Sequence, residues 1–382
     1  MRSGVEKQPR ETVADYLTGW TQRNGGRMAF RIERAVPLAL RCSRTFDYEQ
    51  PRMKLHVGSR VAGWIGCFVF CSTALADPVD RWTTRTSGGT NDLGGVTFAN
   101  GLFVAVGSVG TILTSTNGSN WTKRTSGTTR YLDEVAFGNN IWVAVGAQGA
   151  VVTSVNGTNG WTTRMSGTAG YIADIAFGNG VFAAVVQDGP ILVSADGINW
   201  TNRGFSGQIV NDLAFANGTF LGGGIAGVLA STNGLTWTNY PLPFPGQIAA
   251  FAFGNGKYAG PGFTFSGGVM PIIANSAAGT NWAVAASGLP LVTYRAAFGN
   301  GYFITAGDPG GFLASHDGQN WVMHGITNRA FFDGMTFGRN TFVAVGSGGT
   351  IVQSDDLSGP ALTGSKVTNG FQVVIAGALG QR

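Results

Sequence analysis

One phrase recurs seven times in this chain: variants of Phe-Gly/Ala-Asn-Gly begin at Phe98, Phe137, Phe177, Phe215, Phe253, Phe298 and Phe337, at intervals of 39, 40, 38, 38, 45 and 39 residues. A period near 40 residues, filled with short apolar runs and Gly/Asn turns instead of helical spacing, restricts the fold to repeated supersecondary units. Four short strands fit in each period. The chain is therefore predicted to be all-β, a seven-bladed β-propeller of four-stranded antiparallel blades.

The second copy, residues 132–164, shows how one unit is built. Leu132 to Phe137 reads as a strand, Gly138-Asn139-Asn140 as a turn of residues that accept positive φ, and Ile141 to Val145 as a second strand. The Val-Ala-Val run has no polar alternation, which predicts burial on both faces between neighbouring blades. Val151 to Ser154 and Trp161 to Arg164 supply the third and fourth strands, separated by Asn156-Gly157. The last copy lacks its own fourth strand, because Ser354 is followed by Asp356-Leu357 where other copies have Gly and then Trp. Arg81-Trp82-Thr83-Thr84-Arg85 is a Trp strand with no blade before it, and it can fill that place. The expectation is a ring closed by an N-terminal strand around Trp82, which pairs edges that would otherwise lie open.

The turn between third and fourth strands is the most specific local signature. Ser115-x-Asn117-Gly118-x-x-Trp121 recurs as Ser194-x-Asp196-Gly197-x-x-Trp200, Ser231-x-Asn233-Gly234-x-x-Trp237 and Ser315-x-Asp317-Gly318-x-x-Trp321, while the copy from Ser154 through Asn156 to Trp161 has one extra residue. In these residues the chain resembles the Asp-box, or BNR, repeat family, whose propellers include sialidases, xyloglucan-cleaving hydrolases and photosystem II assembly factors. The resemblance spans all seven copies. Two depart from it: Ser276-Ala277-Ala278-Gly279 has lost the acid, and the copy at Ser354 has lost Gly and Trp. The chemistry of Asn117, Asn156, Asp196, Asn233 and Asp317 is structural, since a side-chain oxygen here accepts backbone N–H groups of its own turn and the Gly supplies a left-handed position. Trp adds an apolar wedge between sheets.

The N-terminal quarter reads differently. Met53 is followed by Lys54 and Arg60, an apolar stretch from Val61 to Thr73, and Ala74-Leu75-Ala76. That order is the layout of a secretory signal peptide over 53–76 with cleavage after Ala76, and its 13-residue apolar stretch is too short to cross a bilayer. Residues 1–52 carry nine arginines and no strand pattern, and are read as a non-native or disordered extension. The propeller is assigned to 77–359. Residues 360–382, where Phe371 to Ala376 alternates like a first strand, are read as the start of a truncated β module or a disordered tail. Residues 1–76 hold 12 of the 25 basic and 6 of the 20 acidic residues, which leaves 13 basic and 14 acidic in the remainder. The basic balance of the whole chain thus comes from the leader, and nucleic acid is not an expected partner. Cys42, Cys67 and Cys71 all precede the cleavage site, so an exported form carries no disulfide. A secreted or periplasmic bacterial protein is expected, with no integral membrane segment after cleavage.

Function is sought where the repeat is broken. The Asn-Gly and Asp-box turns crowd one face of a propeller, and the variable connections lie on the other. Pro241 to Gly246 precedes the fifth copy, and Gly260 to Gly268 interrupts it between its second and third strands. Together they are expected to present Phe244, Phe263 and Phe265 as a platform for a sugar ring or a peptide, or to plug a wider gap between blades. Innermost strands begin on this same face with Asp133, Glu134, Asp174, Asp212 and Asp333, and with Arg295 in the sixth copy. These would ring the channel mouth, holding neighbouring loops, binding a polar ligand, or supplying the carboxylate pair of a glycoside hydrolase. The Phe-Arg-Ile-Pro segment of sialidases is missing: Phe30-Arg31-Ile32 is followed by Glu33 and precedes the signal segment. Only His316 and His324 follow that segment, in places that support neither a zinc cluster nor a serine triad, and no phosphate loop is present. No metal and no cofactor are expected. The reading is a secreted non-catalytic scaffold for a protein or a cell-envelope glycan, with a glycosidase using the channel-mouth carboxylates as the alternative.

Overall fold

The computed structural model describes residues 78–376 except 206–209, 226, 267, 309, 326–329, 359–360 and 368–369, so the extension and signal segment lie outside the described residues. Seven antiparallel sheets follow one another in the chain. Blade 2 is typical, with Leu132–Gly138 innermost, then Ile141–Gly146, Ala150–Ser154 and Thr162–Met165 outermost. In blade 7 the chain supplies Phe332–Gly338, Thr341–Gly346 and Thr350–Ser354, and the outermost place is taken by Trp82–Arg85. This strand pairs Trp82 with Ser354 and Arg85 with Ile351, so the two ends of the propeller close one sheet. The Trp82 indole stacks on Phe312 of blade 6, with ring centroids 3.8 Å apart and planes 8° from parallel.

The core is not central. Seven separate apolar clusters occupy the seven interfaces between adjacent blades, including the interface of blade 7 with blade 1, where Val343, Val345 and Ile351 meet Leu93, Phe103 and Leu113. Successive residues of each second strand serve opposite interfaces. Phe103 and Ala105 pack toward blade 7, whereas Val104 and Val106 pack toward blade 2. This is why these strands read as continuous apolar runs and not as alternating ones.

The repeated Phe-Gly/Ala pair has a packing cause. Each Phe ring occupies the space above the small residue that follows the Phe of the preceding blade: a Cβ on Gly138 would meet Phe177, on Gly178 Phe215, on Gly254 Phe298 and on Gly299 Phe337. The belt closes on itself, since Gly338 of blade 7 is covered by Phe98 of blade 1. The Asn that follows takes a left-handed turn position, with φ of 46° at both Asn139 and Asn179. Its side chain staples the next blade. Asn139 Nδ2 donates to the carbonyls of Gly180 and Ala195 at 3.1 and 2.7 Å, and Asn179 Nδ2 to those of Gly218 and Thr232 at 3.2 and 2.7 Å.

The Ser-x-Asn/Asp-Gly-x-x-Trp turns are built alike. Asp196 Oδ1 accepts the Ile198 and Asn199 amides at 2.9 and 2.8 Å, Ser194 Oγ accepts the Gly197 amide at 2.8 Å, and Trp200 Nε1 donates to the Gly197 carbonyl at 3.2 Å. Asn117, Asn156, Asn233 and Asp317 each accept the two matching amides of their own turns.

Blade 5 differs from its neighbours. The segment expected to interrupt it is instead regular: Lys257–Thr264 and Met270–Ser276 are strands of 8 and 7 residues, against 6 and 5 for the matching strands of blade 2. The irregularity lies in its innermost strand, which is split into Gly246–Ile248 and Ala252–Gly254, both paired with Lys257–Thr264. Pro261 lies opposite that break, where its missing N–H leaves no ladder bond unmade, and its carbonyl accepts the Ala249 amide at 2.8 Å. Beyond the propeller, Ala361–Val367 and Gly370–Ala376 pair as an antiparallel hairpin outside the compact unit Ser72–Gly359.

Candidate functional site: the channel and its mouth

Counted back from each repeat phenylalanine, the third residue is Gly95, Glu134, Asp174, Asp212, Ala250, Arg295 and Gly334 in blades 1 to 7. In six blades it directly follows a β-bulge, as at Leu132/Glu134 and Thr293/Arg295, and in blade 5 it falls in the break. Glu134, Asp174, Asp212 and Arg295 line a central cavity of about 470 Å³. Gly95 makes room for one of them, since a Cβ there would meet the Glu134 carboxylate. The structure therefore gathers four of the predicted residues into one tier.

Their bonding is mutual. Asp174 is 7% exposed; its Oδ1 accepts the Ile175 amide at 2.5 Å and its Oδ2 the Leu213 amide of blade 4 at 2.8 Å. Asp212 Oδ1 lies 3.9 Å from Arg295 Nη1. Arg295 in turn donates from Nε to the Asp333 carbonyl of blade 7 and from Nη1 to the Tyr294 carbonyl at 3.2 Å. Burial pushes the Glu134 carboxyl up to about 7 against the pull of the Val135 amide and Arg295, and pushes Asp212 up to about 6 against Arg295. Asp174 is raised well above the carboxylate range, first by burial and then by the charges of Asp212 and Glu134. Burial opposes the Arg295 charge, but the surrounding acids outweigh it and hold the guanidinium protonated.

A second tier holds the other two acids. Asp133 and Asp333 stand four residues before their phenylalanines, at the bulges themselves, and the matching residue of blade 6 is Tyr294. Tyr171 Oη donates to Asp133 Oδ2 at 2.6 Å, and the Tyr131 ring lies 6.4 Å from that of Tyr171. Burial raises Asp133 and Asp333, and it raises Tyr131 and Tyr171 as well. From the sequence, Tyr131 near Glu134 reads as repeat wording and not as an assembled site pair, and Tyr171 is not among the candidates. A signal existed, because Tyr131 and Tyr171 both stand six residues before a repeat phenylalanine.

The predicted aromatic platform divides. Phe263 meets Phe265 and Tyr294 edge-on, at centroid distances of 5.8 and 6.4 Å, which joins the blade 5 hairpin to the channel mouth. Phe244 is not part of that group; it packs half-buried against the Leu221, Ile248 and Phe251 cluster between blades 4 and 5. The two irregular segments do touch, through the Phe265 amide on the Pro245 carbonyl at 2.7 Å. At the tip of the hairpin Phe265, Val269 and Met270 are 43%, 67% and 41% exposed.

Other polar groups are occupied structurally. Arg124 and Arg164 bind Thr114 and Thr153 at 2.8 and 3.0 Å, tying fourth strands to third ones. His316 packs on Tyr302, and His324 Nδ1 lies 2.7 Å from Asp80 Oδ1. Among the described residues no three His, Cys, Asp or Glu side chains have the arrangement of a metal site. Nor is any helix among them long and apolar enough to cross a membrane.

No known family profile matches the chain, and no curated protein does. Solved structures do. YCF48 bound to D1 peptide is 18% identical, with a TM-score of 0.59 over 72% of this chain and 96% of that one. YCF48 from Cyanidioschyzon merolae is 16% identical, with a TM-score of 0.58 over 72% and 98%. A virginiamycin B lyase from Staphylococcus aureus is 11% identical, with a TM-score of 0.61 over 72% and 98%. At such identities the likeness is one of fold. Together with the seven closed sheets it defines the class: a seven-bladed β-propeller.

Proposed function

We propose that this protein is an exported, non-catalytic binding propeller that holds a segment of a partner protein at the channel mouth. One observation carries the reading: exposed aromatic surface on the blade 5 hairpin runs through Phe263 and Tyr294 into a polar, buried cluster around Arg295. Apolar anchors beside fixed polar groups are what a peptide-recognition surface requires. The YCF48 complex adds support, since a protein of similar fold is bound to D1 peptide in it. On this reading the repeated Ser-x-Asn/Asp-Gly-x-x-Trp turns are Asp-box turns, and the segment ending at Ala76 directs export to the periplasm or medium.

A photo-crosslinking residue placed at position 265 is expected to capture a partner in the producing cell. The same residue at position 235, in the blade 4 Asn233-Gly234 turn on the opposite face, is expected to capture none. Capture from 235 and not from 265 would move the site to the turn face. The exported protein should begin at Asp77 by mass spectrometry; a product retaining residues 1–76 contradicts the export reading.

The hydrolase alternative rests on Glu134, a carboxyl pushed up to about 7 at the edge of a cavity that also holds Asp174 and Asp212. Against it, both Asp174 oxygens are taken by the Ile175 and Leu213 amides, whereas a glycosidase needs two carboxyl groups free to face the scissile bond from opposite sides. No turnover of a glycan panel is expected. Turnover abolished by Glu134→Gln would install the enzyme in place of the scaffold.

A further inference from the structure

The geometry points to the chemistry of the segment that docks: we infer that the mouth takes an extended peptide carrying a lysine or arginine next to bulky apolar residues. This rests on the peptide-binding reading above and adds the partner's class to it.

The apolar half of the argument is the blade 5 hairpin. Its second and third strands are longer than those of the regular blades, and they expose Phe265, Val269 and Met270 at their tip. Nothing in the propeller's folding requires these three to be apolar, because each is more than two fifths exposed. The hairpin is nevertheless held firmly. The Phe265 amide and Thr264 Oγ1 both donate to the Pro245 carbonyl, at 2.7 and 3.0 Å, and Phe263 is fixed edge-on between Phe265 and Tyr294. A preorganised apolar projection binds with little loss of conformational freedom.

The charge half is the imbalance beside it. Around Tyr131 and Glu134 the structure gathers Asp133, Asp174, Asp212 and Asp333, and among the described residues Arg295 is the cation that acts on Asp133, Glu134, Asp174 and Asp333. Arg295 is already committed to Asp212 and to two backbone carbonyls. A partner's cation entering the mouth would meet Asp133 and Asp333, which share Arg295 with the other acids and make no ion pair of their own among the described residues, whereas a partner's carboxylate would meet repulsion. The two tiers connect through Tyr294, which touches Phe263 on one side and shares the Arg295 backbone on the other. A cationic side chain and its apolar neighbour can therefore be held at once.

The test uses the full-length chain and labelled nonapeptides with two lysines flanked by phenylalanine and leucine in a Gly/Ser background. Counterparts replace the lysines by glutamate or the apolar residues by serine. The lysine peptide is expected to bind about tenfold or more tightly than the glutamate peptide, a difference that shrinks in high salt. Phe265→Ala and Asp333→Asn should each weaken it severalfold without moving the melting temperature. Equal binding of lysine and glutamate peptides, with Phe265→Ala still harmful, would overturn the cationic inference and leave the docking reading intact. Binding indifferent to Phe265→Ala, or no binding of any peptide, would overturn both. A dimer of the free protein that Phe265→Ser converts to a monomer would assign the patch to a second copy and overturn the inference as well.

Discussion

The two faces of the ring are built under opposite rules. On the turn face most blades repeat one solution: Asn139, Asn179, Asn255 and Asn300, each in a left-handed position, donate to the next blade, and in five blades an Asn or Asp oxygen collects two amides of its own turn. On the mouth face the matching position is not fixed, since the third residue before the repeat phenylalanine runs Gly, Glu, Asp, Asp, Ala, Arg, Gly around the channel, five residue types in seven blades. What is repeated holds the ring together, and what varies has been released from that duty. The residues most conspicuous in the sequence are for that reason the least informative about a partner.

The comparison yields effects of descending size. Trp82→Ala, which removes the closing strand's stack on Phe312, is expected to cost about 3–4 kcal/mol in chemical denaturation. A cost under about 1 kcal/mol would mean that the strand is not what closes the ring. Gly178→Val places branched carbons where the Phe215 ring sits and should cost about 2–3 kcal/mol; a neutral outcome would break the packing account of the Phe-Gly pair.

Asp196→Ala on the turn face should cost about 1 kcal/mol, as loss of a cap does, with no change in peptide binding. On the mouth face the Glu134 and Asp212 carboxyls are raised to about 7 and about 6, so folding opposes their ionisation. Their share of stability is intact below about pH 4 and is lost as pH rises through 6 to 7. Glu134→Gln should flatten that decline by on the order of 1 kcal/mol when unfolding is followed at pH 5 and pH 8. A decline unchanged in the variant would separate Glu134 from the channel's electrostatics. The smallest effect belongs to Phe265→Ala, about 0.5 kcal/mol or less, because the ring is 43% exposed.

Much of the ring was legible because packing repeats in the sequence whatever it repeats in space. The Phe98 to Phe337 period gave the blade count, and the stray Trp82 strand beside the defective Ser354 copy located the closure. The site was legible only as a list. Asp133 and Glu134 are consecutive, yet a bulge at Leu132/Glu134 separates them into two tiers, and a bulge has no marker in these residues. The run from Gly260 to Gly268, rich in Gly and Pro, read as a loop because both residues usually end strands. In the structure Pro261 is tolerated where the facing strand is broken. Phe244 and Phe263 could not be told apart by composition, since core and platform use the same residue and only the register assigns them.

Hydrogen exchange across the whole propeller, with and without the bound lysine peptide, tests the division of the two faces most directly. Protection is predicted at residues 245–248, 263–270 and 292–295, with the turns at 115–121, 194–200 and 315–321 unchanged. Protection of those turns, with the blade 5 hairpin exchanging as in the free protein, would contradict it.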